Sequence, residues 1–178
     1  ALNTSGNDYV AWCWKAPTSF SNDAGTNGAT IASTGKVSVD TGFSIVRYTG
    51  NATTNATVYH ALSQTPELII HKNLDVVDNW STWSKEIGTG QKLYFDTTTA
   101  KTSSSNHPTL PTSSVFYVGA GVEVNGTGND MLAYCFHSVE GYSKIGSYVG
   151  NGNNGDGPFI YTGFKPAFCL VKRITSGE

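Results

Sequence analysis

Short runs of β-branched and aromatic residues, each bounded by Gly, Asn, Pro or Asp, recur along the whole chain. Such runs are typical of β-strands, and no window keeps the 3.6-residue period of an amphipathic helix. Residues 75–86 are the least strand-like stretch, and we expect a helical turn or a loop there. The pattern predicts strands at Tyr9–Trp14, Phe43–Thr49, Glu67–Lys72, Lys92–Asp96, Val115–Val118, Met131–His137, Ser143–Val149, Phe159–Tyr161 and Ala167–Arg173.

The spacing of these strands favours an all-β fold, a jelly-roll-like β-sandwich. Two of the runs, LIIH in residues 68–71 and FCLV in residues 168–171, are almost continuously apolar. Strands of this kind are usually covered on both faces, so we expect both runs to be central strands of the core.

An internal repeat is visible in the same pattern. SIVRYTGN (residues 44–51) matches KIGSYVGN (144–151), and PELIIHK (66–72) matches PAFCLVK (166–172), both at a separation of 100 positions. NTSGNDYVAWCW (3–14) matches NGTGNDMLAYCF (125–136) at a separation of 122. A constant separation over two blocks indicates a common architecture.

The repeat divides the chain into a terminal strand of a preceding repeat (1–15), a connector rich in Gly, Ser and Thr (16–42), a complete β repeat of about 100 residues (43–142) and the first strands of a following repeat (143–178). The connector is expected to be a flexible surface segment. The partial copies at the two ends cannot bury their apolar sides alone. They must therefore close onto the complete copy or be covered by a neighbouring subunit.

Composition adds limits on the partners. Only 13% of the residues are charged, against roughly 25% in an average globular protein, and the net charge is −2. A chain with this balance has no basic field for nucleic acid, and no apolar run approaches the roughly 20 residues needed to insert into a membrane.

Candidate chemistry is sparse. Cys13, Cys135 and Cys169 each lie in an apolar run and are interpreted as buried free thiols. The four histidines have no metal-ligand spacing, which predicts no metal site. Gly150 to Gly155 matches a dinucleotide-binding signature, but no helix pattern follows, so the loop is interpreted as a turn and no cofactor is predicted.

One aromatic and polar cluster lies outside the predicted strands. Trp80 and Trp83, with Asn79 and Lys85 beside them, combine ring faces with amide and ammonium groups, as a sugar-stacking surface requires. We therefore predict these four residues as ligand-binding, the alternative being that both tryptophans pack on the core. Asp75, Asp78, Glu86, Asp96 and Glu140 would be available to a polysaccharide-active enzyme, but the sequence brings no two of them together and the prediction is not an enzyme.

The blocks DYVAWCWKA, FSIVRYTGN, DMLAYCFHSVEGYSKIGSYVGNG and GDGPFIYTGFKPAFCLVKR resemble a family of tandem-repeat domains in structural proteins of marine bacteriophages, particularly tail and tail-fibre proteins. The resemblance covers nearly the whole chain. In that family the block matching Tyr134 to Lys144 joins one repeat to the next, and no catalytic residues are known.

The resemblance implies a non-enzymatic structural module on a virion, extracellular and associated with a tail or fibre, that contributes to attachment to a host-surface glycan. Its partners would be other virion subunits or copies of itself. Two alternatives stay open: a self-assembling decoration or filament subunit with no ligand, and a polysaccharide-active enzyme.

Overall fold

The computed structural model describes residues 4–11 and 13–175, and within them the fold is a two-layer β-sandwich, which confirms the predicted all-β class. The elements are β1 (Thr18–Asn22), β2 (Ser33–Ser38), β3 (Phe43–Thr49), β4 (Ala56–Tyr59), β5 (Leu68–Asn73), β6 (Ser81–Ser84), β7 (Gln91–Tyr94), β8 (Thr102–Ser103), β9 (Val115–Val118), α1 (Val122–Asn125) and β10 (Asp130–Phe136).

The larger layer is an antiparallel sheet in which the described strands follow the order β1-β2-β3-β10-β5-β6-β7-β8. The last of the described strands, β10, lies between β3 and β5 and pairs with both. Tyr134 is opposite Ile45 on one side and Ile70 on the other. The centre of the sheet is therefore built from strands that are distant in sequence.

The smaller layer consists of the antiparallel pair β4 and β9 together with α1. Apolar side chains of this layer, including Val58, Phe116 and Val124, are fully buried against Val46 and Met131 of the larger sheet. The period of two along each strand sends alternate side chains into this core. Among the residues described, no helix has the length and hydropathy needed to traverse a lipid bilayer.

Several predicted strands are confirmed. β3 and β9 have the predicted bounds, and β5, β7 and β10 lie within two residues of them. Residues 75–86 were expected to hold a helical turn or a loop; the loop is present up to residue 80, but residues 81–84 form the strand β6. The expectation that LIIH is covered on both faces was also wrong, because β5 alternates between buried and half-buried positions.

Residues 16–42 are not a flexible connector. They contain β1 and β2, which extend the larger sheet beyond β3 in continuous antiparallel register. The hydrophobic pattern did not reveal these two strands, because they are rich in Ser, Thr and Gly. A strand near a sheet edge is stabilised by backbone pairing as much as by apolar side chains.

The predicted strands at the two ends are not formed. Apart from an isolated bridge between Val139 and Ser143, the described residues of 9–14, 143–149, 159–161 and 167–173 form no strand and belong to neither sheet. Of the three cysteines only Cys135 is buried, and Cys13 and Cys169 are exposed in these segments. The prediction of three buried thiols is therefore wrong for two of them.

Candidate ligand-binding surface

The larger sheet has one face against the smaller layer and an opposite face that is only partly covered. Along β10, Met131, Ala133 and Cys135 are buried in the core, while the alternate residues Tyr134 and Phe136 are half-buried. The alternation therefore places aromatic side chains of β3 and β10 on the outer face.

These outer side chains form a continuous row of rings, which we call the outer aromatic row: Trp80, Tyr134, Phe43, Phe136 and Trp14. The ring centroids of Trp80 and Tyr134 are 6.2 Å apart, those of Tyr134 and Phe43 are 6.5 Å apart, and those of Phe43 and Phe136 are 4.9 Å apart. Trp80 is 36% exposed and Trp14 46% exposed, whereas Phe43 is 5% exposed. The row is therefore open to solvent at its two tryptophan ends.

Polar groups surround the Trp80 end of the row. The Lys72 amine lies 5.8 Å from the centroid of the indole and also donates to the Asp78 carbonyl. The Trp80 backbone N–H donates to the Asp96 carboxylate at 3.2 Å. An aromatic face bordered by an ammonium group and a carboxylate can stack against a sugar ring and exchange hydrogen bonds with its hydroxyls.

The four predicted ligand-binding residues do not form one cluster. Trp83 points into the core, is 2% exposed and donates its Nε1–H to the Gly88 carbonyl at 2.9 Å. Lys85 lies past the far end of β6, where its ammonium is 2.6 Å from the Glu67 carboxylate. Asn79 is half-buried beside Trp80. Of the four, Trp80 alone is shown on the outer face, where its ring stacks on that of Tyr134.

Comparison with protein families places the whole chain in one group. A model for a domain of unknown function, DUF7483, matches residues 1–178. The chain belongs to the DUF7483 family. No curated protein and no solved structure matches it.

The DUF7483 domain has a second polar cluster that the sequence did not indicate. Glu123 of α1 accepts hydrogen bonds from Lys92 at 2.8 Å, from Tyr94 at 2.5 Å and from the Asn106 amide. Burial opposes ionisation of Glu123, but the hydrogen bonds from Lys92 and Tyr94 outweigh it and hold the pKa of this carboxyl below its usual value. The cluster attaches α1 to β7, and only a contact across 31 residues creates it.

The histidines of the DUF7483 domain are all buried. The rings of His71 and His107 lie 5.1 Å apart, and both ring nitrogens of His71 have no hydrogen-bond partner among the described residues. Burial holds the pKa of His71 well below its usual value and lowers that of His107 to about 3. In residues 4–11 and 13–175 no three His, Cys, Asp or Glu side chains are grouped closely enough to hold a metal ion. A pair of imidazoles alone does not fit the three or four ligands of a protein zinc site.

Three of the carboxylates considered for polysaccharide chemistry each accept a hydrogen bond from a different part of the DUF7483 domain. Asp75 accepts the Asp130 N–H at 2.6 Å, Asp96 accepts that of Trp80, and Glu86 accepts the Ser147 hydroxyl at 2.6 Å. Each of these contacts joins two chain segments. Their geometry is that of structural carboxylates holding loops in place.

Proposed function

We propose that this domain is a non-enzymatic structural module of an extracellular assembly, associated with a phage tail or fibre, that attaches to a host-surface glycan through the outer aromatic row. The observation that supports the binding role is the half-open indole of Trp80, bordered by Lys72 and Asp96. The virion setting rests on the resemblance of the sequence blocks alone.

Binding to an array of bacterial lipopolysaccharide and capsule oligosaccharides tests this proposal. Trp80→Ala should weaken the binding of the best glycan about tenfold, which corresponds to roughly 1.4 kcal/mol and is the size expected for the loss of one stacking ring. Tyr142→Ala is the matched control, because Tyr142 is 54% exposed and lies outside the row.

The control should bind as the unchanged protein does, and Trp80→Phe should recover part of the affinity. If no glycan binds the unchanged protein, or if the Trp80 and Tyr142 variants lose affinity equally, the attachment role is wrong.

A second candidate function is a self-assembling decoration or filament subunit with no ligand. It is favoured by the apolar side chains exposed at both ends of the chain, where Val10 is 76% exposed, Val149 87% and Phe159 89%. Groups of exposed apolar residues of this kind mark protein interaction surfaces. Light scattering over a range of concentrations tests it: the mass should grow with concentration, and a constant monomer mass would contradict assembly.

A further inference from the structure

The N-terminal segment repeats a turn of the core as well as its sequence. At residues 4–7 the Asn7 N–H donates to the Thr4 carbonyl at 3.3 Å, and Gly6 has φ +83°. At residues 126–129 the Asn129 N–H donates to the Gly126 carbonyl at 3.0 Å, and Gly128 has φ +72°. The second of these turns leads directly into β10, so residues 8–14 have the position that β10 has after its own turn.

The C-terminal segments repeat core features in the same way. The Asn51 side-chain oxygen accepts the Thr53 N–H at 2.9 Å, and 100 positions later the Asn151 oxygen accepts the Asn153 N–H at 3.0 Å. The next residues, Ala52 and Gly152, both have positive φ. Ser63 and Gly163, which precede β5 and its counterpart, also share positive φ. Residues 143–149 thus correspond to β3, and residues 168–173 correspond to β5.

These three segments therefore correspond to the three central strands of the larger sheet, but their described residues are not assembled into a sheet in the single chain. Val10, Val149 and Val171 are 76%, 87% and 61% exposed, whereas the core strands they match bury every second side chain. Segments that carry exposed apolar side chains in a strand-like pattern and are not part of a sheet can pair with another chain.

We propose that residues 8–14 of one copy of this chain insert between residues 143–149 and 168–173 of a second copy, as β10 inserts between β3 and β5. The insertion gives a partner and a register to the second candidate function, on which it rests. It involves Trp14 of the outer aromatic row, but Trp80, which supports the glycan proposal, lies in none of the three segments. Because different surfaces meet, the contact is heterologous and builds a ring or a filament.

The core determines the register of the inserted strand. Phe136 is opposite Leu68 in the core, and the matching residues 14 and 168 are the Trp14 and Phe168 whose rings already lie 6.0 Å apart within one chain. One position earlier, Cys135 is opposite Ile69, and the matching residues are Cys13 and Cys169. Both of these thiols are exposed.

A second copy fits this site because the receiving segments stay attached to their own sheet, while the start of the donor segment is exposed to solvent. Ser147 donates to Glu86 at 2.6 Å and Lys172 donates to the Thr97 carbonyl at 2.5 Å, which attaches both receiving segments to their own sheet. Trp14 packs on Phe43 and Phe136 of its own core, while Val10 at the other end of the donor segment is directed to solvent. The Val10 end of the donor segment is therefore accessible to a second copy, and insertion exchanges the contacts of Trp14 with its own core for contacts with that copy.

Disulfide trapping tests the register. Opposed residues of antiparallel strands have Cα atoms about 4.5–5.5 Å apart, within the range that a disulfide spans. Copper phenanthroline, as oxidant, takes two electrons from a Cys13 and a Cys169 thiol, and two protons leave as the S–S bond forms. The Cys13→Ser and Cys169→Ser variants are oxidised in three samples. Two samples contain one variant alone, and the third contains both variants mixed in equal amounts before the oxidant is added.

The mixture should give a covalent dimer at least tenfold more abundant than either variant gives alone, and the unchanged protein should give a ladder of multimers. A fast-migrating monomer with a Cys13–Cys169 bond as the main product would show that the segment closes onto its own chain. Absence of any mixed dimer would also overturn the proposal. If light scattering still shows assembly in that case, the assembly role stands and only this pairing is wrong.

A proline substitution gives an independent readout. Ala11→Pro removes a backbone donor in the middle of the inserted strand and should abolish multimer growth, while the core, which does not include this residue, keeps its unfolding midpoint. Ser5→Pro is the control, because it occupies the second position of the 4–7 turn, where proline is favoured when glycine follows at positive φ. Equal multimer growth in the two variants would contradict the insertion.

Discussion

At the scale of single residues, Trp80 and Trp83 lie three positions apart in the chain but on opposite faces of the sheet, one facing solvent and the other in the core. Both are tryptophans in a polar sequence context, and nothing in their neighbours distinguishes them. The strand β6 sends Trp83 into the core and leaves Trp80 on the outer face, because alternate faces of a strand differ in burial.

The two tryptophans should therefore differ in their contribution to stability. Trp83→Ala removes a buried ring and the hydrogen bond to Gly88, and we expect a loss of about 3–5 kcal/mol in the free energy of unfolding. Trp80→Ala should cost about 1 kcal/mol or less, because its ring is already partly solvated. Urea unfolding followed by circular dichroism measures both, and similar losses for the two variants would contradict this assignment of faces.

At the scale of elements, the pairing of β2 with β3 depends on a residue that has no side chain. A Cβ on Gly35 would collide with the Ile45 carbonyl oxygen and would lie 2.8 Å from the Phe20 ring. The Phe20 ring of β1 thus lies over β2 where only glycine leaves room for it. The Gly content of residues 16–42, which suggested a connector, is in part a requirement of sheet packing.

Gly35→Ala should destabilise the fold by about 1–3 kcal/mol, because the strands must separate or Phe20 must leave its position. Gly157→Ala is the matched control, since a Cβ there meets no atom within 4 Å. Differential scanning calorimetry of the two variants measures the effect. A melting temperature unchanged by Gly35→Ala would show that β1 and β2 do not pack as described.

The elements also show where sequence patterns are informative. Runs rich in Val, Ile and aromatic residues identified β3, β5, β9 and β10, because each of these strands buries one face against the opposite layer of the sandwich. β1 (TSFSN) and β2 (STGKVS) have few apolar residues and could not be recognised from a hydrophobic period. The terminal segments have the same pattern, but their described residues pair with no strand, so the pattern over-predicted strands there.

At the scale of the whole molecule, buried histidines link stability to pH. The His60 ring accepts the Leu62 N–H at 3.2 Å through Nδ1, and its Nε2 lies 3.1 Å from the Thr112 carbonyl. Burial lowers the pKa of His60 to about 4, and the hydrogen bond to Thr112 opposes this shift only in part. A second proton on Nδ1 would face a donor, so the folded state holds the neutral ring.

The free energy of unfolding should therefore fall as the pH is lowered from about 6.5, the ordinary histidine value, toward the folded-state pKa values of about 4 for His60 and about 3 for His107. In this window the unfolded chain binds protons that the folded chain does not bind, which gives a slope of about 1.4 kcal/mol per pH unit for each of these two histidines. The stability is fully present above pH 6.5.

Urea unfolding between pH 7 and pH 5 measures the slope, in a range where the carboxylates stay ionised. His60→Gln retains an amide that can donate to Thr112, and it should reduce the slope by the contribution of one histidine. A free energy of unfolding that does not change over this range would show that these imidazoles bind protons as readily in the folded chain as in the unfolded chain.

The sequence by itself determined the all-β class, the strands β3, β5, β9 and β10 and the matching of blocks 8–14, 143–149 and 166–172 to blocks of the core, because strand-forming side chains and turn residues act over a few positions. The tertiary structure decided which tryptophan is solvent-facing, that β10 lies between β3 and β5, that Glu123 meets Lys92 and that the histidines are buried. These features depend on contacts between residues far apart in the chain, and no local pattern encodes them.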